Sequence, residues 1–208
     1  MLKKTDRYIY FYIVNDIFQF FRPIPVHCYS GCNNLDMLNF LFPDYRFECI
    51  TEIHRQWLKE QEIYSILLDV DCTLKYYSSK KVLPDIATWL NRKRDQGFQF
   101  CLLSNGRHHR IEKLAEDLDL PFLAPAYKPF PSGCRKAMQM LYLDPQYTVL
   151  IGDQIFTDVV AANLAGIRSI LVTPLRPQEE PLFARVKRPF ERFVLKIYDK
   201  KMSNISTQ

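Results

Sequence analysis

Residues 66–74 read ILLDVDCTL, an apolar run that closes on two aspartates, Asp69 and Asp71. From Ile63 to Val70 the chain is apolar almost throughout. Such a run reads as a strand buried on both faces, the kind found in parallel sheets. Ionised carboxylates are costly inside such a strand, so they mark where it stops. Two of them at one strand end call for a reason beyond turn formation.

The pattern repeats downstream. Pro84 opens a helix that stops at Gly97, with Ile86, Trp89 and Leu90 on one side. Proline in the first turn and glycine just past the end are the expected punctuation. Phe98 to Ser104 reads as a strand, and Ile111, Leu114, Ala115 and Leu118 recur at helical spacing. A short strand at Phe122 to Ala124, a helix capped by Ser132 and a strand from Thr148 to Gly152 follow. A helix from Asp158 to Ala165, closed by Gly166, and a strand from Arg168 to Val172 complete the alternation. Upstream, Ile50, Ile53 and Trp57 also fall at helical spacing. The order predicts an α/β fold, a mostly parallel five-stranded sheet with helices on both faces.

With 208 residues, 48% hydrophobic and 25% charged, the chain has the composition of a globular protein with one main domain. Two segments stand apart. Tyr8 to Phe21 is strongly aromatic but only 14 residues long and interrupted by Asn15, Asp16 and Gln19. A helix of that length spans about 21 Å, short of a bilayer core of roughly 30 Å, so it is expected to lie in a membrane interface or pack on the domain. RPIPVHCYSGCNN, residues 22–34, reads as a linker, which predicts an extension over 1–34 and a domain over 35–208. At the other end, seven basic residues between Arg185 and Lys201 face only Glu191 and Asp199, so this segment holds the whole net charge of +5. Such a tail suits an anionic surface or is a solvated helix face. Six cysteines without a visible secretory signal are expected to be reduced, and Cys28 and Cys32, with three residues between them, give only weak support to a zinc site.

In an open parallel sheet ligands bind beyond the carboxyl ends of the strands. Four strands here end in polar residues: Asp69 and Asp71; Ser104 and Asn105; Lys128 beyond the third; Asp153 and Asp158. Gathered at one edge, the carboxylates would repel each other unless a cation neutralised them. Oxygen ligands with open positions suit Mg²⁺. Lys128, a hydroxyl, an amide and backbone N–H groups are what phosphoryl oxygens require. One carboxylate could then attack phosphorus and a second, two residues on, protonate the leaving oxygen.

These residues match in order and spacing the four motifs of the haloacid dehalogenase superfamily of phosphohydrolases. DVDCTL resembles its first motif, LLSNG its second, YKPFPSG its third and IGDQIFTD its fourth. Residues 43–195 more narrowly resemble the IIIA-type, YqeG-like branch, which includes phosphatidylglycerophosphate phosphatases; GDQIFTDVVAANLAGIRSILVTPL is the most telling stretch. The resemblance implies a Rossmann-like three-layer fold and Mg²⁺. Asp69 would be nucleophile and metal ligand, and Asp71 general acid and base, ligating metal through its backbone carbonyl. Lys128 would neutralise the phosphoryl oxygens, Asp153 and Asp158 would support the metal, and Thr73 would hold the loop after the nucleophile. Ser104 and Asn105 would bind phosphate, with Gly106 and Arg107 beside them; His108, His109 and Arg110 follow at a helix start. Cys72 stands where this branch usually has asparagine, as does Gly106.

Nine residues separate Leu74 from Pro84 and 23 separate Ser104 from Lys128, too few for an inserted cap domain. An open site admits a phosphate on a large or membrane-embedded molecule. The leading expectation is a phosphomonoester hydrolase of the phosphatidylglycerophosphate phosphatase kind, cytoplasmic and peripheral on membrane, with anionic phospholipid as partner and no nucleic acid. The alternatives are a capless phosphatase for phosphoprotein, nucleic-acid ends or soluble metabolites, and a silent binding module of the same fold.

Overall fold

The computed structural model describes residues 36–179 and 182–205, with side chains over 39–179 and 185–201. The expected extension over 1–34, with Cys28 and Cys32, lies outside the described residues. Six strands form one sheet in which every neighbouring pair is parallel: β1 (Tyr45–Phe47), β2 (Ser65–Leu68), β3 (Gln99–Leu103), β4 (Phe122–Leu123), β5 (Thr148–Gly152) and β6 (Arg168–Val172). Their spatial order is β1-β6-β5-β2-β3-β4, so β2 lies near the centre between β3 and β5.

Five strands were expected and six are present among the described residues. The addition is β1, whose three residues pair Tyr45 with Ile170, Arg46 with Leu171 and Phe47 with Val172. Three residues are too few to show a period, and it is the free edge of β6 that makes them a strand. The ILLDVDCTL strand is confirmed but shorter than Ile63 to Val70, because ladder pairing covers only Ser65 to Leu68.

Successive side chains of the central strands enter two different cores, as a pleated strand requires. Ile66, Leu68, Phe100, Leu102, Val149 and Ile151 face one. Against them pack α1 (Arg55–Glu60) through Leu58, α2 (Pro84–Asp95) through Ile86, Trp89 and Leu90, and α3 (His108–Leu118) through Ile111 and Leu114. The Trp89 indole N–H donates to the Ile53 carbonyl at 2.9 Å, which satisfies its one polar atom inside this core. Leu67, Cys101, Leu103 and Leu150 face the other core, closed by α4 (Ser132–Leu141) through Cys134, Ala137 and Met138 and by α5 (Val160–Ala165) through Ala161 and Ala162. Each fully buried Leu or Ile contributes roughly 1.5–3 kcal/mol, so these two apolar faces hold the helices in place.

Three local expectations are corrected. Ile50, Ile53 and Trp57 do not share a helix: Ile50 begins a 3₁₀ turn over Ile50–Glu52, and α1 starts separately at Arg55. Ser132 is the first residue of α4 and not its cap, the cap position being Pro131. The helix expected from Asp158 starts earlier as a π-helical turn over Ile155–Val159 before α5 takes over, and Gly166 closes it at φ +77°. A wide turn of this kind often marks a functional position.

The C-terminal helix α6 (Leu182–Ile205) carries the basic tail. Its Val194 joins Leu41, Ile155, Val159, Val160 and Leu171 in a third apolar cluster. Among the described residues no helix is long and apolar enough to cross a membrane.

Candidate active site

The Asp69 N–H donates to the Ile151 carbonyl at 2.9 Å, so the chain stays on the ladder for one residue after β2 and the Asp69 carboxylate emerges at the carboxyl edge. The loop then folds tightly, with Leu74 N–H on the Val70 carbonyl at 3.0 Å and Cys72 N–H on that of Lys75 at 2.9 Å. Val70 turns into the core, which lets Asp69 and Asp71 project from the edge. Cys72 takes φ +65°, left-handed backbone that asparagine adopts more readily than cysteine. That is a physical reason for asparagine in the resembling sequences, and here the Cys72 carbonyl is held by the N–H of Leu175 at 2.8 Å.

Asp69, Asp153 and Asp158 converge, each offering a carboxylate oxygen within 4.8 Å of the others. The Lys128 ammonium reaches into the group and donates to Asp69 and Asp158, both at 2.6 Å. Thr73 donates its hydroxyl to Asp153 at 3.3 Å, and the Gln154 N–H donates to the second oxygen of Asp158 at 3.0 Å. The π turn brings Asp158 back over Gly152, where a Cβ would overlap the Asp158 carboxyl group; only glycine leaves that space.

Burial, reinforced by Asp158 and Asp71, raises the Asp69 carboxyl to about 7 against the pull of Lys128. Burial and the neighbouring Asp69 also push Asp153 well above the carboxylate range. Desolvation works against the Lys128 charge, but Asp158 and Asp69 outweigh it and the ammonium is held more firmly than in water. Lys128, and Arg188 through its ion pair with Asp153, supply two positive charges against these three carboxylates. The acid surplus and the oxygen-only donor set fit a hard divalent cation.

Asp71 stands apart from that group. It accepts from Lys75 at 2.7 Å and from both terminal nitrogens of Arg110, one at 2.8 Å. Burial pushes its carboxyl up, but the hydrogen bonds from Arg110 and Lys75 prevail and hold it below the usual range. Lys75 is itself buried and also donates to the Ser79 carbonyl at 2.8 Å.

Between the two groups lies the turn after β3. The Gly106 N–H donates to the Ser104 hydroxyl at 3.1 Å. Asn105 clasps the backbone of Lys128, accepting from its N–H and donating to its carbonyl, both at 2.7 Å. The amide therefore sets where the lysine starts and is occupied in doing so. A Cβ on Gly106 would collide with the Arg110 guanidinium, so the glycine makes room for the Arg110–Asp71 pair. Arg107 precedes α3, is exposed, and makes no side-chain hydrogen bond or ion pair among the described residues. His108 and His109 sit at the helix start near Glu112, at 3.8 and 3.5 Å.

Three partners were not singled out from sequence. Lys75 lies four residues after Asp71, a spacing that hints at a pair. Arg188, read only as part of a basic tail, donates to the Asp153 carbonyl at 2.7 Å and pairs with its carboxylate. Glu191 ties the same turn of α6 to the π turn, accepting from Ile155 N–H at 2.8 Å and from Arg188 at 3.0 Å. Arg188 lies 35 positions after Asp153, so no local pattern could have joined them.

The haloacid dehalogenase-like hydrolase family matches residues 33–166. Over 162 residues, 78% of this chain and 94% of the relative, the sequence is 30% identical to "Probable phosphatase YqeG" of Bacillus subtilis. It is 24% identical over 167 residues to phosphatidylglycerophosphate phosphatase 1, chloroplastic/mitochondrial, of Arabidopsis thaliana, spanning 76% of this chain and 48% of that protein. The cobalt-bound deoxy-D-mannose-octulosonate 8-phosphate phosphatase YrbI of Haemophilus influenzae is 19% identical, with a TM-score of 0.44 over 55% of this chain and 70% of that one. The chain belongs to the haloacid dehalogenase-like hydrolases, as a phosphatase of that family.

Proposed function

We propose that the protein is a Mg²⁺-dependent phosphomonoesterase that works through an aspartyl-phosphate on Asp69 and takes its phosphate from a lipid of the phosphatidylglycerophosphate kind. The observation that carries this reading is the buried Lys128 ammonium, 2.6 Å from both Asp69 and Asp158, with Asp153 closing the group. A cation set so deep among carboxylates is what a dianionic phosphoryl group needs in order to approach an anionic nucleophile.

Asp69, Asp153 and Asp158, with the backbone carbonyl of Asp71, would hold the Mg²⁺. When bound, the metal neutralises the acid surplus and polarises phosphoryl oxygens. An Asp69 oxygen forms the bond to phosphorus as the bond to the leaving oxygen breaks, and Asp71 gives that oxygen its proton. Water then attacks phosphorus with its proton going back to Asp71, which frees Asp69. Arg110 is half-exposed, so an arriving phosphate can draw it away from Asp71, which then loses the hydrogen bonds that keep it ionised and takes up from water the proton it gives to the leaving oxygen. The Ser104 hydroxyl accepts from Gly106 N–H and has its own hydrogen to offer a phosphoryl oxygen. Arg107, exposed beside it, meets the outer part of the substrate.

The short connections after Asp69 and Ser104 leave the site open to a bulky phosphate carrier, and one relative is named for such a lipid. On this reading residues 35–208 are the catalytic domain, cytoplasmic and peripheral on membrane, with residues 1–34 as a second membrane contact. The test compares hydrolysis of phosphatidylglycerophosphate in vesicles with a panel of soluble phosphate esters, with Mg²⁺ and with EDTA. Lipid turnover no better than the panel removes the substrate assignment, and wild-type turnover by D69N removes the mechanism.

A further inference from the structure

On α6, Val186, Phe190 and Phe193 are 64%, 64% and 63% exposed. At 100° per residue they and the half-buried Ile197 fall within about 60° of arc, a single apolar stripe. The neighbouring side of the helix faces the domain, centred about 120° from the stripe: Glu191 and Val194 are buried, and Leu195 and Tyr198 partly so. The stripe borders the buried side at Val194 and turns outward from it, leaving Val186, Phe190 and Phe193 open to solvent. Arg185, Arg192, Lys196 and Lys200, all exposed, occupy about 80° of arc alongside it. Asp199, the acid on this side, is paired with Arg46 at 2.6 Å. Arg185 and Arg192 have no ion-pair partner among the described residues.

We infer that the outer face of α6 is the surface through which this protein docks on anionic lipid. The inference rests on the lipid-phosphate reading above and says how the enzyme meets that substrate. Exposed aromatics flanked by a continuous basic row suit the acyl and headgroup layers of an anionic membrane together. A protein partner would need a matching apolar groove ringed with acid. The position on the helix is the second argument. Phe190 and Phe193 lie two and five residues from Arg188, whose guanidinium holds Asp153, so by helical rise the stripe is within about 8 Å along the axis of the turn that touches the cluster. A cleft of about 850 Å³ is lined both by Asp153 and by Arg185, Pro189 and Arg192. The helix that binds the bilayer thus also borders a cleft that reaches Asp153, and Arg185 and Arg192 of its basic row line that cleft.

The test is co-sedimentation of the full chain with vesicles of phosphatidylcholine alone and of equal parts phosphatidylcholine and phosphatidylglycerol. The wild type is expected to sediment with the anionic vesicles only, and less as salt is raised. F190S/F193S should bind them at least about tenfold more weakly, as should R192E/K196E. Hydrolysis of p-nitrophenyl phosphate by F190S/F193S at the wild-type rate shows that its site is folded. Sedimentation of F190S/F193S like the wild type, or equal binding of the wild type to both vesicles, overturns the docking surface. So does a wild type that ignores vesicles and forms a dimer dispersed by F190S/F193S, which would make the stripe a self-contact. Vesicle binding through α6 without preferential hydrolysis of lipid phosphate keeps the surface and removes the substrate reading. Lipid-phosphate hydrolysis undiminished in F190S/F193S does the reverse.

Discussion

Replacing Lys128 by methionine keeps the length of the side chain and removes its charge. In the folded protein the ammonium is almost wholly buried and bridges Asp69 and Asp158 at 2.6 Å each. Removing one partner of a buried ion pair costs about 3–5 kcal/mol, because the other charge stays desolvated and uncompensated. A domain of this size loses roughly 2–4 °C per kcal/mol, so K128M should melt about 6–20 °C lower in EDTA at pH 8. A solvent-exposed pair would cost less than about 1 kcal/mol, which separates the two situations clearly. Adding D158N to K128M removes a stranded carboxylate and should restore part of the loss, with a coupling of roughly 1–3 kcal/mol. The deficit should also shrink toward pH 5, where carboxyls without their cation take up protons. Thermal melts of the wild type, both single variants and the double variant complete the cycle. A K128M loss below about 1 kcal/mol, or strictly additive effects, would refute the bridging role.

Gly152→Ala should destabilise by about 1–3 kcal/mol and lower turnover sharply, since its Cβ meets the Asp158 carboxyl group; melting and p-nitrophenyl phosphate kinetics measure both. Asp69 keeps its proton up to about pH 7 when folded but releases it near 3.8 when unfolded, so the folded state binds more protons over that window. Stability of the metal-free protein should accordingly fall as pH rises from about 4 to 7, and D69N should lack this component; melts across pH in EDTA, compared between the two proteins, report it. Mg²⁺ should raise the melting temperature of the wild type at pH 7 through binding to the folded state alone, and raise it less in D153N. Burial pushes the thiols of Cys101 and Cys134 up to about 12, so iodoacetamide at pH 7.5 should label both only after denaturation, as peptide mapping by mass spectrometry would show.

Much of the sheet was legible because its signal is local. Thr148–Gly152 and Arg168–Val172 were read to the residue, since apolar runs bounded by turn-formers mark buried parallel strands. The reading was poorer where tertiary contacts decide conformation. β1 is a strand only because β6 offers it a ladder, and the π turn forms where Asp158 folds back over Gly152. The candidate site residues were legible for a different reason: Asp69, Asp71, Ser104, Lys128, Asp153 and Asp158 follow strand ends, and strand ends of a parallel sheet share one edge.

The sequence by itself determined the alternation of strands and helices and the set of polar groups delivered to the carboxyl edge, because periodicity and order along the chain are enough for both. Only the tertiary structure decided how that set divides, with Asp69, Asp153 and Asp158 around Lys128 and with Asp71 drawn off by Lys75 and Arg110. It also turned the basic tail into a helix with an inward Arg188 on Asp153 and an outward apolar stripe. Charge counted along a chain says nothing of which side chains face in, whereas desolvation and Coulomb attraction act through space between residues far apart in sequence.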